Sequence, residues 1–209
     1  MFTLMERKCF TMSTSKRLYK GSSLINFPDD YCVIDIETTG LNPAYDEIIE
    51  VGAVKVQEGK IIDEFSSLIK PTAPVSGFVS ELTGITNEML VGAPSACDVL
   101  HDFLRFVGSS IIVGHNVNFD INFLYDNSMA LLEQFVKNDF VDTMRISRYL
   151  LRDLPHHRLG DLVNYYNLPD IGAHRVLCDC MQTHYVLCGL RSDAIDKYGT
   201  IKRFQKACK

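Results

Sequence analysis

The sequence predicts an α/β fold, a mixed β-sheet flanked by α-helices, and three observations predict it. Two apolar stretches, 47–57 and 60–70, are joined by Glu58-Gly59 and read as a β-hairpin. The run Val33-Ile34-Asp35-Ile36-Glu37 is apolar except for two acids, which suits a central strand better than an edge. From about residue 95 onward, short apolar strands alternate with stretches of helical periodicity.

In chain order, residues 1–26 read as a weakly patterned extension, and the domain starts near Phe27-Pro28-Asp29-Asp30. The first strand covers 31–37, and the hairpin follows. Pro71 to Pro74 breaks the pattern, so short helices around Glu81 and Glu88 and a longer one over 95–106 come next. Residues 110–114 (SIIVG) form a short buried strand and 119–127 a helix. Another strand covers 140–142, with Asp142 placed to cap a helix over 143–151. Helices over 159–166 and about 175–190 close the domain, which leaves 191–209 as a basic tail.

A chain of 209 residues suits one domain with appendages. It has no apolar run of membrane-spanning length and no signal-peptide pattern. Its seven cysteines are odd in number and form no CxxC pair. Reduced thiols in a cytoplasmic protein are the expectation. The net charge of −5 is segregated: residues 1–20 carry five basic side chains against Glu6, residues 197–209 carry five basic side chains and no acidic one, and 21–196 carries a net −14. An acidic domain with basic ends can hold an anionic polymer if bound cations offset the acids, or the ends can simply aid solubility.

Three constellations carry chemistry. Strand alternation puts Asp35 and Glu37 on one face, roughly 7 Å apart, where a bound divalent cation would relieve their repulsion. The Thr38-Thr39-Gly40 turn that follows lets backbone amides approach a ligand. The second is Gly114-His115-Asn116-Val117-Asn118-Phe119-Asp120, at a strand-to-helix junction where ligand sites gather in open α/β sheets. Asp120 there also fits a purely structural role in a first helical turn. The third is His174 followed by Asp179. Five residues apart they lie about 140° apart on a regular helix, so a shared site requires His174 in the loop before the helix, and Gly172 supports a break there. A loop histidine suits a general base, although a histidine beside Arg175 also fits a surface position.

In order, Asp35-x-Glu37, Asn118-Phe119-Asp120 and His174-x4-Asp179 resemble the DEDDh family of 3′→5′ exonucleases over about residues 29–190. The flanking text is similar too: Glu37-Thr38-Thr39-Gly40-Leu41, Ile49-Glu50-Val51-Gly52-Ala53, Leu82-Thr83-Gly84-Ile85-Thr86 and Val141-Asp142-Thr143. The wording looks most like the proofreading exonucleases of bacterial DNA polymerase III, either the epsilon subunit or the domain inserted in PolC-type polymerases. The resemblance implies a ribonuclease-H-like fold and hydrolysis with two Mg²⁺ or Mn²⁺ ions. Asp35, Glu37, Asp120 and Asp179 would be the ligands and His174 the general base. It also implies that the backbone at Thr38 and Thr39 holds the terminal sugar, that Leu41 wedges against the base, and that Asn116 and Phe119 line the pocket. The expected substrate is single-stranded DNA or a frayed 3′ end, with RNA as the runner-up and a DNA polymerase as a possible associate. A non-catalytic module tethering a polymerase is the reading from another class, and the retention of all five residues argues against it. Cys178 and Cys180 flank Asp179, but soft thiols do not suit magnesium.

Overall fold

The apolar run that carries the two acids forms β2 (Tyr31–Thr38), and it lies inside a six-stranded sheet, not on its edge. The structure, a computed structural model, describes residues 17–169 and 175–208. The hairpin follows as β3 (Ile48–Gln57) and β4 (Lys60–Leu68), with β3 antiparallel to both β2 and β4. Its turn residues Glu58 and Gly59 have φ of 49° and 72°. Two-residue hairpins favour such a turn because its twist matches the strands. On the other side of β2 lie β5 (Ile112–Gly114), β6 (Phe140–Asp142) and β1 (Ser23–Leu24), all parallel, giving the order β1-β6-β5-β2-β3-β4.

Between β4 and β5 run α1 (Gly77–Thr83), α2 (Asn87–Leu90) and α3 (Ala96–Val107). The side chains of Ser76, Thr86 and Ser95 each accept an amide hydrogen bond at the helix start, the usual N-cap device. α4 (Asn118–Leu132) follows β5, and α5 (Thr143–Leu150) follows β6. α6 (Leu159–Tyr165), α7 (Val176–Tyr198) and α8 (Ile201–Ala207) complete the described chain.

The pleat splits the core into two layers. Ile34 and Ile36 of β2, with Val51 and Ala53 of β3, pack on α3 and α4 through Leu100, Phe103, Ile121 and Leu124. Tyr31, Val33, Val54 and Val56 face the helices α5 to α8 through Ile146, Leu162, Cys180 and Leu190. Asp35 and Glu37 follow Val33 at alternate positions, so they point toward the α7 layer.

Three expected boundaries move. Ser23 and Leu24 form β1, which pairs with β6, and Leu24 and Ile25 pack in the α7 layer, so this part of the expected extension joins the sheet and its core. α4 reaches Leu132, not 127, because Met129 and Leu132 continue its apolar face. α7 runs past 190 to Tyr198 because Leu190 and Ala194 extend its buried stripe, and Gly199 (φ 77°) ends it. The stretch expected as a basic tail is therefore helical up to Ala207, with Phe204 fully buried.

Candidate active site

One end of β2 gathers the acids. Carboxylate oxygens of Asp35, Glu37 and Asp179 all lie within 4.8 Å of one another. Asp35 and Glu37 arrive from the strand, and Asp179 from the first turn of α7, whose N-cap is Arg175. α7 can come this close because β3 presents a bare backbone: a Cβ on Gly52 would lie 2.6 Å from the Val176 side chain. Gly52 pairs with Asp35 across the β2–β3 ladder, so this close approach of helix and sheet falls beside the cluster.

Asp120 comes from the opposite layer. It is buried in the first turn of α4, and its Oδ1 accepts the Ile36 amide at 3.2 Å. The β2–β5 ladder ends at Val33, which leaves the Ile36 amide for this contact. Asp120 therefore ties α4 to β2 as a structural acid would. It also stands beside Asp35, whose carboxyl feels its charge more than any other.

Without cations, burial and mutual repulsion make these acids harder to ionise. Burial, then the charges of Asp120, Asp179, Glu37 and Glu50, drive the Asp35 carboxyl well above the usual range. Glu37 is pushed up to about 7 by burial first and then by Asp179 and Glu50. Burial raises Asp120 well above its ordinary value too, although amide hydrogen bonds work against that rise. Hard oxygen donors that repel one another fit a magnesium- or manganese-class ion, whose charge would reverse these shifts. The Cys180 thiol is buried, and burial pushes its pKa well up, so it remains a packing group against the Val33 carbonyl.

The expected substrate contacts distribute unevenly. The Thr38 hydroxyl donates to the Gly40 carbonyl at 2.6 Å, and the Thr39 hydroxyl accepts the Glu47 amide at 2.9 Å. These side chains hold the turn, and a ligand there would meet backbone. Leu41 is 85% exposed, an aliphatic side chain presented to solvent next to the cluster-bearing strand. Asn116 is exposed with φ 59°, its amide held by Asp142 Oδ1 at 2.9 Å. Phe119 is half-buried against Phe123, with ring centroids 4.9 Å apart, so core packing occupies one of its sides. His174 lies outside the described residues.

Two structural side chains are busier than the sequence suggests. Besides taking the Asn116 amide, Asp142 accepts the Met144 and Arg145 amides as the α5 cap. The half-buried His115 ring donates from Nε2 to the His157 carbonyl at 2.9 Å and meets the Thr143 hydroxyl at Nδ1, and desolvation lowers its pKa. A neutral ring here fastens the 155–157 loop to the β5–α4 junction. Sequence reasoning missed Glu50 and Arg175, which form an ion pair at 2.8 Å beside the cluster.

The family model described as Exonuclease (RNase T) matches residues 32–187. DNA polymerase III PolC-type of Bacillus subtilis is 41% identical over 180 residues, which is 86% of this chain and 12% of that protein. The corresponding protein of Clostridium perfringens is 38% identical over 162 residues, covering 78% of this chain and 11% of its own length. This chain thus spans about an eighth of the PolC-type relatives it matches. Among solved structures, Exonuclease X in complex with 5′ overhanging duplex DNA is similar with a TM-score of 0.60 and 26% identity, over 86% of this chain and 99% of that one. E. coli Exonuclease I in complex with a dT13 oligonucleotide shares the fold, with a TM-score of 0.69 and 19% identity, over 82% of this chain and 43% of that one.

Proposed function

Since the chain belongs to the Exonuclease (RNase T) family, we propose that it hydrolyses DNA from the 3′ end to nucleoside 5′-monophosphates with two divalent cations of the Mg²⁺ or Mn²⁺ class. The observation that carries this reading is the convergence of Asp35, Glu37 and Asp179 within 4.8 Å, with Asp120 beside Asp35. Asp35, which feels the charges of the other three acids, would be the ligand shared by both ions. Glu37 and Asp179 would complete one ion and Asp120 would hold the other. Bound there, the ions supply a water of lowered pKa and stabilise the oxygens gained and lost at phosphorus.

The chain's own groups do the rest. His174 accepts the proton of the attacking water as its oxygen bonds to phosphorus and the bond to the neighbouring 3′ oxygen breaks. The backbone of Thr38 and Thr39 receives the terminal sugar, and exposed Leu41 wedges against its base, with Asn116 and the free side of Phe119 next to them. The substrate is a single-stranded or frayed 3′ end. Exonuclease X and Exonuclease I, solved with overhanging duplex DNA and with an oligonucleotide, support DNA over RNA. The PolC-type relatives support action beside a DNA polymerase. Among the described residues no helix is long and apolar enough to cross a membrane.

The test uses 5′-labelled single-stranded DNA and RNA with Mg²⁺, Mn²⁺ or EDTA, products resolved by length. The expected result is stepwise shortening of DNA, abolished by EDTA and slowed by a 3′-phosphate. First cuts at internal positions, or none with either metal, would overturn the reading. Faster shortening of RNA would reassign the substrate.

A further inference from the structure

Glu50 and Arg175 have no part in the chemistry above, yet they sit against it. Glu50 lies on β3 directly across from Glu37 and is 2% exposed. Its Oε1 accepts from Arg175 Nη2 at 2.8 Å and from Nε at 3.3 Å, and its Oε2 lies 3.4 Å from the same Nε. Arg175 is the N-cap of α7, and its carbonyl accepts the Asp179 amide at 3.1 Å. One residue on, Val176 rests on Gly52. Both contacts of this turn thus fall on β3 residues paired with the acids of β2: Glu50 with Glu37, and Gly52 with Asp35.

We propose that the Glu50–Arg175 pair is the positioning clamp of the candidate metal site. It fixes the first turn of α7, so that the Asp179 carboxylate meets Asp35 and Glu37, and it keeps Glu50, a fifth carboxylate, turned onto Arg175 and away from the ions. The inference rests on the metal-dependent reading above. Functional constellations must be held to about half an ångström, and the groups that orient ligands set affinity nearly as strongly as the ligands do. An exposed ion pair would contribute little, but this one ends on a carboxylate shut away from water, which tolerates no loss of its partner. Glu50's charge reaches the cluster, since it helps to raise both Asp35 and Glu37. Arg175 also directly follows His174, so the clamp anchors the chain leaving the proposed base.

The experiment compares wild type, Arg175→Gln, Arg175→Lys and the double variant Glu50→Gln/Arg175→Gln. The readouts are Mn²⁺ affinity by calorimetry without DNA, the melting temperature in EDTA, and the Mg²⁺ concentration that half-saturates cleavage. Arg175→Gln should weaken Mn²⁺ binding by on the order of 10–100-fold and raise the Mg²⁺ requirement to match. Arg175→Lys, which keeps the charge without the fork, should fall between. The double variant strands no buried charge, so it folds even where Arg175→Gln does not, and it should still bind Mn²⁺ at least ten-fold more weakly than wild type. Phe204→Ala, a remote destabilising control, should leave Mn²⁺ affinity unchanged. Wild-type affinity in the double variant would overturn the clamp, as would a loss matched by Phe204→Ala. A wild-type protein that bound no Mn²⁺ would overturn the proposed function, and the clamp with it.

Discussion

A carboxyl group buried among others keeps its proton longer than one in water, and Glu37 makes the consequence measurable. An ordinary glutamate ionises near 4.5, whereas burial and the neighbouring acids hold Glu37 at about 7 in the metal-free fold. The folded chain thus binds this proton more tightly than the unfolded chain. The stabilisation is complete below pH 4.5 and is lost as pH rises through 7. In EDTA, the melting temperature of wild type should therefore fall, relative to Glu37→Gln, between pH 5 and pH 8, and saturating Mg²⁺ should cancel the fall. Parallel melting curves for the two proteins across that range would contradict it. Ligand and base should separate as cleanly. Asp35→Asn should lose nearly all cleavage and most of the Mn²⁺-induced rise in melting temperature. His174→Ala should keep that rise and lose rate by on the order of 10²–10⁴-fold. Equal metal-induced shifts in Asp35→Asn and wild type would place the ions elsewhere. The acids are legible in the sequence because strand period and helix starts put them at predictable places. The Glu50–Arg175 pair is not, since 125 residues separate the two charges and no spacing rule brings them together.

At the scale of elements, the sequence announces β2, the hairpin and the strand–helix alternation, because each carries its own periodicity and turn residues. It understates α4 and α7, whose apolar stripes are interrupted near the expected ends by polar residues: the buried Ser128 in α4, and Arg191, Asp193, Asp196 and Lys197 in α7. The buried His184 has a specific partner, with Nδ1 2.7 Å from the Tyr31 hydroxyl, and no periodicity argument could supply that. Packing of α7 on β3 is equally invisible before the register is known. It turns on Gly52, where a Cβ would lie 2.6 Å from the Val176 side chain and 3.1 Å from the Val176 carbonyl carbon. Gly52→Ala must push the first turn of α7 outward, carrying Asp179 with it. Overpacking of this kind costs about 1–3 kcal/mol, and here it should also weaken Mn²⁺ binding, since the displaced turn bears a ligand. Calorimetry with Mn²⁺, beside melting curves in EDTA, reads both effects. Wild-type metal affinity in Gly52→Ala would mean that the helix yields without moving the site.

For the whole molecule, the layer behind the sheet is closed by the part of the chain that composition alone marks as a charged tail. α8 turns its basic residues outward and puts Phe204 into the core, against Phe27 at 5.8 Å and Tyr198 at 5.5 Å between ring centroids. Gln205 adds hydrogen bonds from Nε2 to the Ile25 carbonyl at 2.9 Å and to Asn26 Oδ1 at 3.1 Å. Residues 25–27 and α8 are thereby fastened together, and none of these contacts involves an acid of the cluster. Stability and chemistry should separate along that line. Phe204→Ala removes a fully buried ring and should cost about 3–5 kcal/mol. In a chain of this size that lowers the melting temperature by on the order of 10 °C. Cleavage at saturating Mg²⁺, measured well below the lowered transition, should stay within about two-fold of wild type, because a core truncation acts through its own cavity. Melting curves and rate constants on the same preparations decide it. A rate that fell as far as that of Asp35→Asn, in a protein still folded at the assay temperature, would show that α8 supports the site, and this layer could not then be divided into a stabilising part and a catalytic part.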